Sequence, residues 1–563
     1  MPRVADSSQQ PTRRYAVKCN YVGLFLSACS LLNIASMPMK AYISEYLPWR
    51  APPVMPDMFS NFSDFSAHML AFDKRLYNNA TLPRGATYVT DWTNDVQVMR
   101  QVLYPFALAP LARDACLGSF LLGMPGLIFY TPAQMDLLCS LVATKNASEL
   151  HFPPGGCFAN ALSSRNVGTS CYWIDHGNTL TNATEPDAVT LTYVYNATRY
   201  YKWLWCKFAY RIMSTCFVVY RLWTQYYRHC VGLYQRLARA SHFATPPTTN
   251  WRYELVLGDP TAIILMDPMV ALVFLVDIWI SIGNVGVAVL RASQNGDLAV
   301  NLLNILYLSR TVWFGYFALC LTAFYLRRYS KQHLFADVDT TMVAIGVTAY
   351  GPLISWLSGN VAALAAAYQW CFTAPVPVDK TSQENELVLG CVLYTLSIAC
   401  MPVTYGFTAA FVRHHLLPRL GTRDYSSYLY NTIKNRALLS LVRPFRDATP
   451  SRGGAIYALF DLDPHCKNSP TLSLSGADCY LLCYENEELC EKLRLSLLCS
   501  LRQARENPKS SVSETRTLSP YAFNVLDLQE PDVPRRMKEK SFMHIKGIFV
   551  GLQRPLESSP WCL

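Results

Sequence analysis

Long apolar runs with almost no charge constrain this chain more than any other feature. Residues 21–39, "YVGLFLSACSLLNIASMPM", contain no Asp, Glu, Lys or Arg. Four more runs follow, at 261–290, 303–326, 341–371 and 387–412. A helix rises about 1.5 Å per residue, so about 20 such residues cross a hydrocarbon core about 30 Å thick. The composition agrees with membrane segments. Only 16% of the 563 residues are charged and 51% are hydrophobic, where a soluble domain carries roughly a quarter charged. The net charge of +10 does not point to nucleic acid, because the basic residues cluster at the ends of apolar runs, where they orient membrane segments.

Those basic clusters fix an expected sidedness. Arg3, Arg13, Arg14 and Lys18 place residues 1–20 in the cytosol, followed by a first transmembrane helix over 21–43, for which a cleaved signal peptide is the competing reading. Arg327, Arg328 and Lys331 follow the 303–326 run, and Arg413, Arg419 and Arg423 follow the last one. Both connectors therefore belong inside, which requires a further crossing between the exported segment and residue 261. Residues 203–227 are the candidate second helix, despite Lys207, Arg211 and Arg221; a helix lying on the membrane surface is the alternative.

The expected fold is a polytopic α-helical membrane protein with about six transmembrane helices. An exported domain over 44–200 lies between helices 1 and 2, and a cytosolic loop spans 228–260. Helices 3–6 cover 261–290, 303–326, 341–371 and 387–412, and a small cytosolic α+β domain covers 413–563. Within it, "GGAIYALFDLD" and "FMHIKGIFVGL" read as strands, and "ENEELCEKLRLSLLCSLRQA" reads as a helix with Leu489, Leu493 and Leu497 on one face.

The exported domain carries N-x-Ser/Thr sequons at Asn61, Asn79, Asn146, Asn182 and Asn196, so N-linked glycans are expected. It also holds Cys116, Cys139, Cys157 and Cys171. Four thiols in an oxidising compartment predict two disulfides with three possible connectivities; the short loop from Cys157 to Cys171 favours that pair.

Ionisable groups within spanning segments are costly and mark functional sites. Asp277 and Arg211 lie at similar depth by helix rise, with Arg310 nearer the outer edge, so Asp277 is expected to pair with Arg211 first and Arg310 second. Helix kinks are expected at Gly351-Pro352 and at Pro402. "ALFDLDPHC" resembles the first motif of haloacid-dehalogenase-type phosphatases, which would make Asp461 the nucleophile and Asp463 the acid–base. The pattern departs at Pro464 and His465, and no later acidic pair completes a magnesium site, so no enzyme is expected. No metal or cofactor is expected either: the cysteines past residue 413 lack zinc spacing.

The layout is similar to that of mucolipin and polycystin channels, with a large exported domain after the first helix. However, "TAPVPVDKTSQENE" is too short for a pore helix and filter. The functional expectation is a sensor or scaffold in the plasma membrane or an endomembrane of a eukaryotic secretory pathway. Its partners are the lipid bilayer, an extracellular or lumenal ligand and a cytosolic protein. The alternative is a solute or ion transporter or channel using intramembrane Asp277 and Arg211.

Overall fold

The computed structural model describes residues 16–50, 62–104, 155–163, 165–181, 188–243, 251–292, 297–373, 388–415, 424–447, 449–501 and 560–563, with shorter stretches between them. It is a mixed fold of helices with two six-stranded sheets and a separate two-stranded hairpin, which overturns the expected polytopic bundle of six spanning helices.

The first sheet runs Tyr88–Asp91, Val96–Leu103, Val189–Ala197, Arg165–His176, Gly155–Leu162 and Glu384–Glu386 in spatial order. Its pairs are antiparallel, except that Glu384–Glu386 joins parallel to Gly155–Leu162. Valine, threonine and tyrosine dominate "VTLTYVYNA", and all nine residues of this central strand are buried. Side chains alternate between two covered faces. Val96, Val98 and Val194 share a core with Met69 and Tyr77 of the Phe62–Leu76 helix region. Met99, Leu103, Leu191, Tyr193 and Tyr195 join a larger core with residues of Pro268–Trp279, Ile282–Ala292 and Val312–Arg328. Both disulfides are formed. Cys157–Cys171 links partners in adjacent strands, and Cys116–Cys139 closes the second loop.

The second sheet collects distant parts of the chain: Ala16–Cys19, Trp251–Val256, Cys479–Glu485, Glu488–Leu497 and Trp561–Cys562, with Ser451–Gly453 beside Glu488–Leu497. Here the sequence expectation fails locally. The segment read as a helix is the second strand of a hairpin. Asn486 and Glu487 have φ of 48° and 71°, the paired left-handed conformation of a tight hairpin turn. Leu489, Leu493 and Leu497 are four apart, a spacing shared by helix and strand. The buried Leu495 between them decides for the two-residue period. "GGAIYALFDLD" is a helix, Ala455–Leu462, entered through Gly454 at φ 76°. "FMHIKGIFVGL" forms two strands, Phe542–Ile545 and Ile548–Gly551, paired antiparallel.

Among the described residues, two helices are long and apolar enough to cross a membrane, Leu298–Arg328 and Val388–His415. They become three if Pro268–Trp279 and Ile282–Ala292, bent by 76°, count as one broken span. The other expected spans fail for physical reasons. Tyr21–Ala35 has 15 residues, about 22 Å of helix. Tyr201–Leu222 is long enough but carries Lys202, Lys207, Arg211 and Arg221, and it continues through a π-helical turn at Trp223–Tyr227 into the polar Arg228–Phe243. The 341–371 run breaks at Val361 between Thr340–Asn360 and Ala362–Thr373. The two long apolar helices, together with the disulfides, point to membrane or secretory localisation.

A buried ion network as candidate functional site

The Tyr201–Leu222 helix buries Leu204, Lys207, Arg211, Ser214, Val218 and Leu222. That is the three- and four-residue rhythm of one helix face, and two of its six members are cations. Each finds its partner on another element. Glu45 follows the Met39–Ile43 turn, held by its backbone N–H to Ala41 O at 3.0 Å. Asp277 lies on Pro268–Trp279, a helix capped by the Asp267 carboxylate, which accepts from Met269 N. Arg310 sits in the single turn Ser309–Thr311 between Leu298–Leu308 and Val312–Arg328.

Arg211 donates from Nε to Asp277 Oδ1 at 2.8 Å and from Nη2 to Glu45 Oε1 at 2.8 Å and Ser281 Oγ at 2.9 Å. Arg310 pairs with the other oxygen of Asp277. Lys207 Nζ reaches Glu45 Oε2 at 3.0 Å, and Tyr307 Oη donates to Glu45 Oε1 at 2.7 Å. The network continues through Asn284, whose Oδ1 lies 3.4 Å from Lys207 Nζ and whose Nδ2 donates to Asp95 Oδ2 at 3.2 Å. Asp95 lies in the turn between the first two strands of the first sheet, at φ 54°, and accepts from Arg291 Nη1 at 2.9 Å. The ion-paired side chains of this network are at most 5% exposed.

Burial pushes the Glu45 carboxyl up, but the Arg211 and Lys207 charges outweigh it and hold the group well below the usual carboxylate range. At Asp95 burial wins: the carboxyl is raised, and Arg291 and Arg199 offset this only in part. Asp277 is held between two guanidinium groups, an arrangement that ties three helical elements together.

The sequence brought Asp277, Arg211 and Arg310 to attention, and the structure places all three in this one network. It did not single out Glu45, Lys207 as a Glu45 partner, Asp95, Asn284 or Arg291. The available signal was a lone glutamate inside "AYISEYLPW", the first charge after Lys40. Other expected site residues lie elsewhere. Gly351 and Pro352 lie within Thr340–Asn360, and Pro402 within Val388–His415. Pro402 is buried at a close helix crossing, where a Cβ on Gly315 would come 3.3 Å from its Cγ. Asp461 and Asp463 sit on a helix and at its C-cap, where Tyr425 Oη donates to Asp461 and Asp463 accepts from His465 N; the strand end that the phosphatase motif requires is not what precedes them.

Of the sequons, Asn79 is exposed in a turn. Asn196 is 5% exposed in a central strand and accepts from Arg199 Nη2 at 3.0 Å. Asn61, Asn146 and Asn182 lie outside the described residues. Asp73 comes close to the sulfurs of Cys157 and Cys171, but those are joined in a disulfide and offer no thiolate to a metal.

The chain matches no protein-family model, no curated protein and no solved structure.

Proposed function

We propose that the chain is a membrane-anchored sensor of the secretory pathway, at the cell surface or in an endomembrane. Its disulfide-bonded sheet takes a ligand, and the ion network passes the effect to the helices. The second sheet is the end that meets a cytosolic partner. One observation carries this reading. A single hydrogen-bonded chain runs from Asp95, in a turn of the first sheet, through Asn284, Lys207 and Glu45 to Arg211, Asp277 and Arg310 on three separate helical elements. A buried polar network of this kind has discrete arrangements rather than a continuum, which is the physical requirement for coupling two sites.

Membrane anchoring is supported by the exposed apolar residues of Val388–His415, among them Leu396, Tyr405 and Phe411, and of the Leu298–Arg328 segment, among them Leu302, Leu306 and Phe324. The transporter reading loses ground because Asp277 is clamped by two arginines. The test is hydrogen exchange on the full chain in detergent, comparing wild type with Asp95→Asn. Faster exchange is expected in Tyr201–Leu222 and Leu298–Leu308 as well as in the turn itself. An effect confined to residues 91–96 would refute the coupling.

A further inference from the structure

Arg291 uses one of its three guanidinium nitrogens. Its Nη1 serves Asp95 at 2.9 Å and the Ser44 carbonyl at 3.3 Å, with Ser44 Oγ at 3.4 Å. Its Nε and Nη2 are buried and have no hydrogen-bond partner among the described residues, and the side chain is 0% exposed. Buried donors without acceptors are rare in folded proteins. These two are not a random pair. Nε–H and Nη2–H run parallel along one edge of the group, the edge that takes both oxygens of a carboxylate or two oxygens of a phosphate.

Arg199 stands nearby. It shares Asp95 with Arg291 as an electrostatic neighbour, and its own Nε and Nη1 are also buried and have no hydrogen-bond partner among the described residues. The charge balance points the same way. With Arg199, five cations (Lys207, Arg199, Arg211, Arg291 and Arg310) face three carboxylates, Glu45, Asp95 and Asp277. Among the described residues, two positive charges of this network are left unmatched, and buried charge is tolerated when paired. Trp92 covers the face of the Arg291 guanidinium, with its ring centroid 4.7 Å from Cζ, and is itself 41% exposed. The group therefore lies one ring beneath solvent, with its face covered and its edge free.

We propose that the Nε–Nη2 edge of Arg291, assisted by Arg199, binds a small oxyanion of carboxylate or phosphate type. This anion is the ligand whose arrival the ion network registers, a role that rests on the sensor reading; the site itself does not. An oxyanion on this edge satisfies both free donors of Arg291 and removes one or two units of unmatched charge.

The test is calorimetric titration of the full chain in detergent with inorganic phosphate, and separately with acetate, against chloride at matched ionic strength. Saturable binding of at least one oxyanion at one site per chain is expected. Arg291→Lys keeps the charge but loses the fork, and should weaken binding about tenfold or more. Arg199→Gln provides a second variant, with a loss of about threefold or more. Absence of saturable binding by both oxyanions overturns the proposal, as does an unchanged affinity in both variants. Binding that leaves helix hydrogen exchange unaltered upholds the site and removes the sensor reading; exchange coupling through Asp95 without any binding does the reverse.

Discussion

Asp73 gives the most exacting test of the first sheet. It lies on the Phe62–Leu76 helix, 2% exposed, among Met69, Tyr77, Val96 and the Cys157–Cys171 bridge. Its carboxyl makes no side-chain hydrogen bond or ion pair with another described residue, and burial pushes its pKa from 3.8 up to about 7. Between those values the folded chain holds a proton that the unfolded chain releases. Stability from this group is therefore greatest below about pH 4, falls as pH rises towards 7, and stays low above it. A shift of about three units at ~1.4 kcal/mol each amounts to about 4 kcal/mol at pH 8. Asn at this position has the shape of the protonated acid and does not ionise. Asp73→Asn should match wild type near pH 4 and exceed it by a few kcal/mol at pH 8. For a unit of 150–250 residues that is a midpoint difference of about 10 °C. Thermal unfolding of the full chain in detergent, at half-unit steps from pH 4.5 to 8.5, reads the effect. Parallel profiles for the two proteins, or a wild type that gains on the variant as pH rises, would refute a buried, unpaired carboxyl at this position.

Four further outcomes follow from the same contacts. Asp277→Asn leaves Arg211 and Arg310 with Glu45 as their one remaining carboxylate among the described residues and should cost about 3–5 kcal/mol; with Arg211→Gln the double variant should lose at least about 1 kcal/mol less than the two single losses added, as read by unfolding midpoints. Gly406→Ala sets a methyl group into the Phe335 ring, at a point where Ala336 N already donates to Gly406 O at 3.1 Å. About 1–3 kcal/mol of stability should be lost, part of it regained with Phe335→Leu. Replacing Cys157 and Cys171 together by Ser opens a loop with a separation of 14 residues and should cost about 3 kcal/mol under oxidising conditions, a difference from wild type that disappears when reductant opens this bridge in wild type and the Cys116–Cys139 bridge in both proteins. Asn79→Gln should remove one glycan step on a gel after expression in a glycosylating cell, whereas Asn196→Gln should leave the pattern unchanged and lower stability through the lost contact with Arg199.

How much of this was legible in the sequence differs by the range of the contact. Asp277 and Arg211 were found by depth arithmetic along two helices, because helix rise converts sequence position into height. Glu45 and Asp95 had no such ruler. They sit in turns, and their partners are 162 to 265 residues away, a distance that no periodicity records. The hairpin at Asn486-Glu487 was hidden for another reason: leucines four apart satisfy both a helix and a strand. The two sheets also draw together segments far apart in the chain, as when Glu384–Glu386 pairs with Gly155–Leu162 and Ala16–Cys19 with Trp251–Val256; three or four residues without strong patterning give no warning of such a pairing.

The overcount of spanning helices has the same root. Lipid and protein interior both select apolar residues, so a run of them states that it is buried without stating in what. The distinction lies on the outward face. Val388–His415 has 17% of its most apolar window buried, against 61% for Leu298–Arg328. The first helix leaves Leu396, Tyr405 and Phe411 uncovered by protein, while the second packs Trp313, Tyr316 and Leu319 into the main core. Tyr201–Leu222 goes further still, since the face it turns inward carries Lys207 and Arg211. A cation aimed at lipid is costly, and a cation aimed at Glu45 or Asp277 is not. Charge inside an apolar helix therefore identified the element that seats the ion network more reliably than it identified a membrane crossing.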